Sequence, residues 1–149
     1  MSDLRDLYQA VIIDHSKSPR NRCKLEDANH HAEGFNPLCG DRITLYLQIL
    51  DGKVHDISFE GSGCAISTST ASLMTEQLKG KTLEDAQILF HAFHDLLTQP
   101  ELKLEDTELL GKLTVLSGVR EYPSRIKCAT LAWHTFNAAL ENKSSVSTE

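Results

Sequence analysis

The chain has 149 residues, is 40% hydrophobic and carries a formal charge of -6, with 21 acidic against 15 basic residues. That length suits one domain able to remove about two thirds of its unfolded surface from water, and the negative charge argues against nucleic acid or an anionic membrane as the main partner while favouring a basic protein surface. Acids at Asp3 and Asp6, and the lack of any apolar run of membrane-spanning length, argue against a signal peptide or a membrane span and predict a cytoplasmic protein. In that reducing setting Cys23, Cys39, Cys64 and Cys128 are expected to be inert, metal-bound or reactive rather than disulfide-bonded.

From Asp3 to His15 the apolar residues Leu4, Leu7, Tyr8, Val11 and Ile12 form a helical stripe, which Ser16 to Asn21 ends; this reads as a docking helix. Ala28 to Phe35 reads as a short edge strand. Arg42 to Leu50 alternates, with Ile43, Leu45, Leu47 and Ile49 on one face, and Asp51-Gly52 turns it into a second strand over Lys53 to Glu60. Two registers compete. A two-residue turn sets Ile43 against Glu60 and mixes the faces, whereas a three-residue loop, Leu50-Asp51-Gly52 with a bulge, sets Ile43 against Phe59 and Leu45 against Ile57, and is preferred for its common apolar face.

Ala65 to Lys79 is a helix rich in small residues and closed by Gly80; a second helix starts at Thr82, with Asp85 completing an approximate capping box and Leu83, Ala86, Leu89, Phe90, Phe93 and Leu97 as its buried stripe. Gln99 to Asp106 reads as a loop, and Leu109 to Leu116 as a short helix stopped by Ser117-Gly118. The last helix runs from about Tyr122-Pro123-Ser124 to Asn142, with Trp133 in its core stripe. The expected architecture is α+β, about three antiparallel strands with about five helices packed on them, in which residues 1–142 form the domain and 143–149 a polar tail with nothing to pack.

Cys39 and Asp41 flank Gly40 on a turn between strands, and the hairpin brings them towards Gly61-Ser62-Gly63-Cys64. Cys64 and Cys128 fall at predicted helix starts, where the dipole favours thiolate, and Arg125 and Lys127 add positive charge beside Cys128. Three sulfurs and one oxygen at element ends suit a tetrahedral zinc site, set against unrelated buried thiols as the alternative. Arg125 is either a surface charge or a group that steadies a thiolate or a bound sulfur anion. Cys23 lies outside the constellation; His91 and His94, three apart on a helix, lack a third partner and read as a solvated face, as do His30, His31 and His134.

The stretches Asn36 to Asp41, Gly61 to Ser67 and Arg125 to Trp133 resemble the U-type iron-sulfur assembly proteins, in three ordered motifs that span most of the chain. Within that family the chain looks like the SufU branch rather than the IscU branch, because Lys127 rather than His precedes Cys128, and Tyr122-Pro123-Ser124-Arg125 stands where a Leu-Pro-Pro-Val-Lys motif would. The resemblance implies an α+β fold, zinc held by Cys39, Asp41, Cys64 and Cys128, and receipt of persulfide sulfur from a PLP-dependent, SufS-like cysteine desulfurase for delivery to a downstream iron-sulfur scaffold. In this reading Cys39 is the persulfide acceptor, Asp41 tunes the metal and Arg125 stabilises the exposed sulfur. Two alternatives remain: a scaffold on which a transient iron-sulfur cluster is built and transferred, and a non-catalytic zinc module whose metal only supports the fold.

Overall fold

The computed structural model describes residues 2–99 and 104–147, in which the elements run α1 (Ser2–Lys17), β1 (His30–Asn36), β2 (Asp41–Leu50), β3 (Lys53–Ser62), α2 (Ala65–Leu78), α3 (Leu83–Thr98), α4 (Leu104–Leu110), a 3-10 helix (Gly111–Glu121), α5 (Pro123–Leu140) and β4 (Ser145–Ser147). The strands lie in the order β3-β2-β1-β4, antiparallel except for the parallel pair β1 and β4. This is the expected α+β architecture with one short strand added.

Beyond its tip the hairpin follows neither expected register. Asp51 and Gly52 have φ of 52° and 71°, the two left-handed residues of a tight two-residue turn, so Leu50 faces Lys53 and Ile49 faces Val54. One residue, His55, then bulges, and from Gln48 against Asp56 the ladder runs Leu47 to Ile57, Leu45 to Phe59 and Ile43 to Gly61. The preferred three-residue loop is therefore replaced by a two-residue turn plus a bulge, and its pairs are not formed: Ile43 faces Gly61 rather than Phe59, and Leu45 faces Phe59 rather than Ile57. The physical demand behind the preference survives, because the bulge restores the alignment of apolar faces that the tight turn alone would break.

Three other expectations change. Ser145 to Ser147 do not hang free: Glu33 N–H donates to the Ser144 carbonyl at 2.9 Å, the strand pairs with Glu33 to Phe35, and Val146 packs against the core. That places β1 inside the sheet rather than at its edge. Of the expected loop Gln99 to Asp106, residues 100–103 lie outside the described residues, and 104–106 open α4. Ser117-Gly118 does not stop the next helix, which continues as a 3-10 helix to Glu121 because Leu113, Val115, Leu116 and Val119 are buried there.

The helices follow their caps and stripes. Thr82 Oγ1 accepts from the Asp85 N–H at 3.0 Å at the start of α3, and Gly80, at φ 87°, follows the end of α2. Leu45, Leu47 and Ile57 of the sheet share one core with Phe93 of α3 and with Trp133 and Phe136 of α5, and the Phe93 and Trp133 rings stack at 5.4 Å. Each such side chain contributes about 1.5–3 kcal/mol by leaving water. The face of α1 towards α2 is centred on Tyr8, Val11, Ile12 and His15, so Leu7, expected in the stripe, stands 59% exposed. His15 is buried, with Nδ1 2.7 Å from Ser72 Oγ, which also accepts from the Arg20 N–H at 2.8 Å.

Candidate metal centre

The site sits where β1 passes to β2, where β3 passes to α2, and in the second turn of α5. The first link is a tight turn. Cys39 N–H donates to the Asn36 carbonyl at 3.3 Å, and Gly40 takes a φ of 72°, which a side chain would resist. This turn lifts Pro37, Leu38 and Cys39 into solvent while returning Asp41 to the buried face of the sheet.

The second link needs glycine for space. At Gly61, φ 135°, a Cβ would run into the Arg42 carbonyl, and at Gly63 it would lie 2.7 Å from Asp41 Oδ1. Arg22 holds the strand end from outside by donating to the Gly61 carbonyl at 2.7 Å. With that space open, the Cys64 N–H donates to Asp41 Oδ1 at 2.8 Å, and Cys64 serves as N-cap of α2, its sulfur accepting from the Ser67 N–H at 3.4 Å. The expected helix-start environment of Cys64 is therefore present.

Cys128 differs from its expectation. It lies 1% exposed, with Sγ 3.7 Å from the Ser124 carbonyl one turn back. Burial, and next the neighbouring Cys39 and Cys64 thiols, push its pKa strongly up. The helix dipole and nearby cations were expected to do the reverse. Arg125 and Lys127 are both exposed, and the Arg125 guanidinium lies over the Tyr122 ring, 4.7 Å from its centroid. In the free protein desolvation governs this thiol; a bound metal would reverse that balance by taking the thiolate directly.

Cys128 Sγ lies 3.2 Å from Cys39 Sγ, Cys64 Sγ lies 3.9 Å from Asp41 Oδ2, and the ligand atoms of Cys39, Asp41 and Cys128 fall within 4.8 Å of one another. Cys39, Asp41 and Cys128 therefore form one compact group, and Cys64 lies beside it against Asp41 rather than within it. Among the described residues Cys39, Asp41 and Cys128 are the one such group of at least three Cys, His, Asp or Glu side chains. A metal fits it on two grounds: the donors are soft sulfur with one carboxylate oxygen, and Asp41, 2% exposed, has no cationic side chain paired with it among the described residues. Cys23 is exposed and outside the group. His91 and His94 are exposed on α3, and burial, with His94 nearby, holds the pKa of the half-buried His134 below its ordinary value.

One residue in the site had no role in the sequence reading. Asn36, fully buried at the end of β1 opposite Asp41, donates from Nδ2 to Asp41 Oδ2 at 3.1 Å and to Cys128 Sγ at 3.3 Å. Its place as a polar residue on the core face of β1, just before Pro37, was the available signal.

Residues 7–140 match the family model described as NifU-like N terminal domain. The chain is 43% identical over 132 residues to the zinc-dependent sulfurtransferase SufU of Bacillus subtilis, covering 89% of this chain and 88% of that protein. It is 38% identical over 145 residues to the iron-sulfur cluster assembly scaffold protein IscU of Streptococcus pyogenes, covering 97% and 89%. Among solved structures it is similar to a putative iron-sulfur cluster assembly scaffold protein for the SUF system from Fervidobacterium islandicum, with TM-score 0.81, 36% identity and coverage of 87% of this chain and 93% of that one. With three short motifs converging on one thiol and carboxylate cluster, and with relatives matched along nearly their whole length, the chain belongs to the NifU-like N-terminal domain family.

Proposed function

We propose that the protein is a zinc-dependent sulfur carrier of iron-sulfur cluster assembly, taking persulfide sulfur from a PLP-dependent cysteine desulfurase onto Cys39 and passing it to a downstream scaffold. The observation that carries this reading is the exposure of Cys39 on a turn whose neighbours Asp41 and Cys128 are buried. The SufU relative from Bacillus subtilis supports both the metal and the transfer chemistry. Cys39, Asp41, Cys64 and Cys128 would hold the zinc, which would supply the positive charge that keeps their thiols deprotonated.

The transfer itself requires no redox partner. The Cys39 thiolate attacks the outer sulfur of the desulfurase persulfide; the new bond joins Cys39 Sγ to that sulfur, the old sulfur–sulfur bond breaks, and its electron pair leaves with the desulfurase thiolate. Arg125, at the exposed start of α5, supplies the positive charge for the anionic sulfur then carried on Cys39. The four free cysteines suit a reducing cytoplasm, and among the described residues no helix is long and apolar enough to cross a membrane.

A cluster scaffold is the second reading, favoured by the relative from Streptococcus pyogenes. Turnover of a PLP-dependent cysteine desulfurase, measured with and without this protein, separates the two. Stimulation that Cys39→Ala abolishes is expected; stimulation undiminished in that variant overturns Cys39 as acceptor. A stable, transferable cluster formed on anaerobic reconstitution with iron and sulfide, without such stimulation, would establish the scaffold instead. A fold that chelation unfolds, with neither activity, leaves only a structural metal.

A further inference from the structure

We infer that Asn36 is the positioning residue of the thiol and carboxylate site: it ties Asp41 and Cys128 into a stationary half and leaves Cys39 as the half that moves. This rests on the metal-binding reading given above.

The argument starts from hydrogen-bond capacity. A side-chain amide has two N–H donors and one carbonyl acceptor. Asn36 is fully buried, and its Nδ2 lies 3.1 Å from Asp41 Oδ2 and 3.3 Å from Cys128 Sγ, each within reach of one N–H. The reverse orientation would set the amide oxygen against a carboxylate oxygen and a sulfur that both seek protons, so only the donor orientation satisfies the site. Both acceptors are groups that a metal would hold as anions, and hydrogen bonds to ionised acceptors are about twice as strong as neutral ones. The amide lowers the repulsion among clustered negative donors without adding a competing ligand.

The topology gives the same division. Asn36 and Asp41 are directly paired across β1 and β2, and the Asn36 contact to Cys128 joins positions 92 apart, from the end of a strand to a helix. Asp41 is also held on its other oxygen by the Cys64 N–H at 2.8 Å, so neither oxygen is left to rotate freely. Asn36 meets Cys39 through the main chain, as acceptor of its N–H at 3.3 Å, and the Cys39 side chain is exposed. One residue thus grips two donors by their side chains and holds a third by its backbone. Groups that orient metal ligands in this way contribute about ten- to a hundredfold in affinity.

The test compares wild-type protein with Asn36→Ala, and with Asn36→Leu, which keeps the side-chain volume without donors should the alanine variant fail to fold. Cobalt(II) substitution and zinc competition against a chromophoric chelator are the readouts. Wild-type protein is expected to show intense thiolate-to-cobalt absorption. The variants should show shifted cobalt bands and zinc affinity about ten- to a hundredfold lower. Variants with the wild-type cobalt spectrum and zinc affinity would overturn the role of Asn36 while leaving the metal centre standing. Wild-type protein lacking thiolate-to-cobalt bands would instead overturn the metal-binding reading, and this inference with it.

Discussion

Cys39 and Cys128 stand 89 positions apart, and their sulfurs meet at 3.2 Å with opposite surroundings, Cys39 open to solvent and Cys128 1% exposed. The pair joins a turn between strands to the second turn of a helix. A partner can reach Cys39 without disturbing the core, whereas drawing out Cys128 would unpack the start of α5. That asymmetry is why Cys39 is the proposed sulfur acceptor.

The same asymmetry makes Gly63 sensitive. A Cβ there would sit 2.7 Å from Asp41 Oδ1 and 3.2 Å from its Cγ, forcing the carboxylate off the Cys64 N–H. Gly63→Ala is expected to lower zinc affinity by about ten- to a hundredfold in chelator competition, with the fold retained. Gly118→Ala serves as the control, because a Cβ at Gly118 meets nothing within 4 Å. Equal affinities in the two variants would contradict the packing described for Gly63.

The fastening of α1 should respond to acid. Burial, the largest cause, and then the Arg20 charge hold the His15 pKa below its ordinary 6.5; Glu76, whose Oε1 is 3.7 Å from Nε2, works the other way with less effect. The unfolded chain therefore takes up a proton more readily than the folded one. His15 contributes its full stability above the unfolded value, and that contribution declines as pH falls below about 6.5 through the folded value, with a slope of at most about 1.4 kcal/mol per pH unit. Urea unfolding between about pH 7 and pH 5 should show a steeper loss for wild-type protein than for His15→Gln, in which the titrating group is gone. Parallel curves would remove His15 from the account.

Truncation after Lys143 tests the added strand. It removes the Ser144 carbonyl that accepts from Glu33 N–H at 2.9 Å, the β4 ladder and the packing of Val146, leaving the edge of β1 unpaired. A loss of about 1–3 kcal/mol in urea unfolding is expected, with more self-association by light scattering. Unchanged stability would mean that β4 adds pairing without holding β1.

Much of this was legible in the sequence because the informative residues sit at element ends. Pro37, Gly40, Gly61, Gly63 and Pro123 mark where the chain bends, and a thiol or carboxylate lies close to each bend. The features that escaped depend on partners distant in the chain. The bulge at His55 follows from the apolar faces of two strands together, and no residue type near it announces it. The three-residue β4 has only Val146 as an apolar signal. Ser117-Gly118 reads as a stop until the burial of Val115 and Val119 around it is known. Cys128 looked like an activated thiolate because the sequence displays its charged neighbours but not the desolvation that outweighs them.

The bulge at His55 also has a consequence for how this chain tolerates length changes. Hairpin tips ordinarily absorb insertions and deletions well. Here the ladder beyond the bulge, continued past Arg42 and Ser62, sets Gly63 across from Asp41, where the missing side chain leaves the carboxylate its place. Closing the bulge with all residues kept would slide that strand by one step and bring Ser62 across from Asp41 instead, whereas deleting His55 removes only the extra residue and leaves the pairing beyond it in place. The bulge, about 26 Å along the strand from the thiols, is thus a point where one residue can be lost without moving Gly63, whereas a residue gained or lost between Asp56 and Gly63 would carry it out of place.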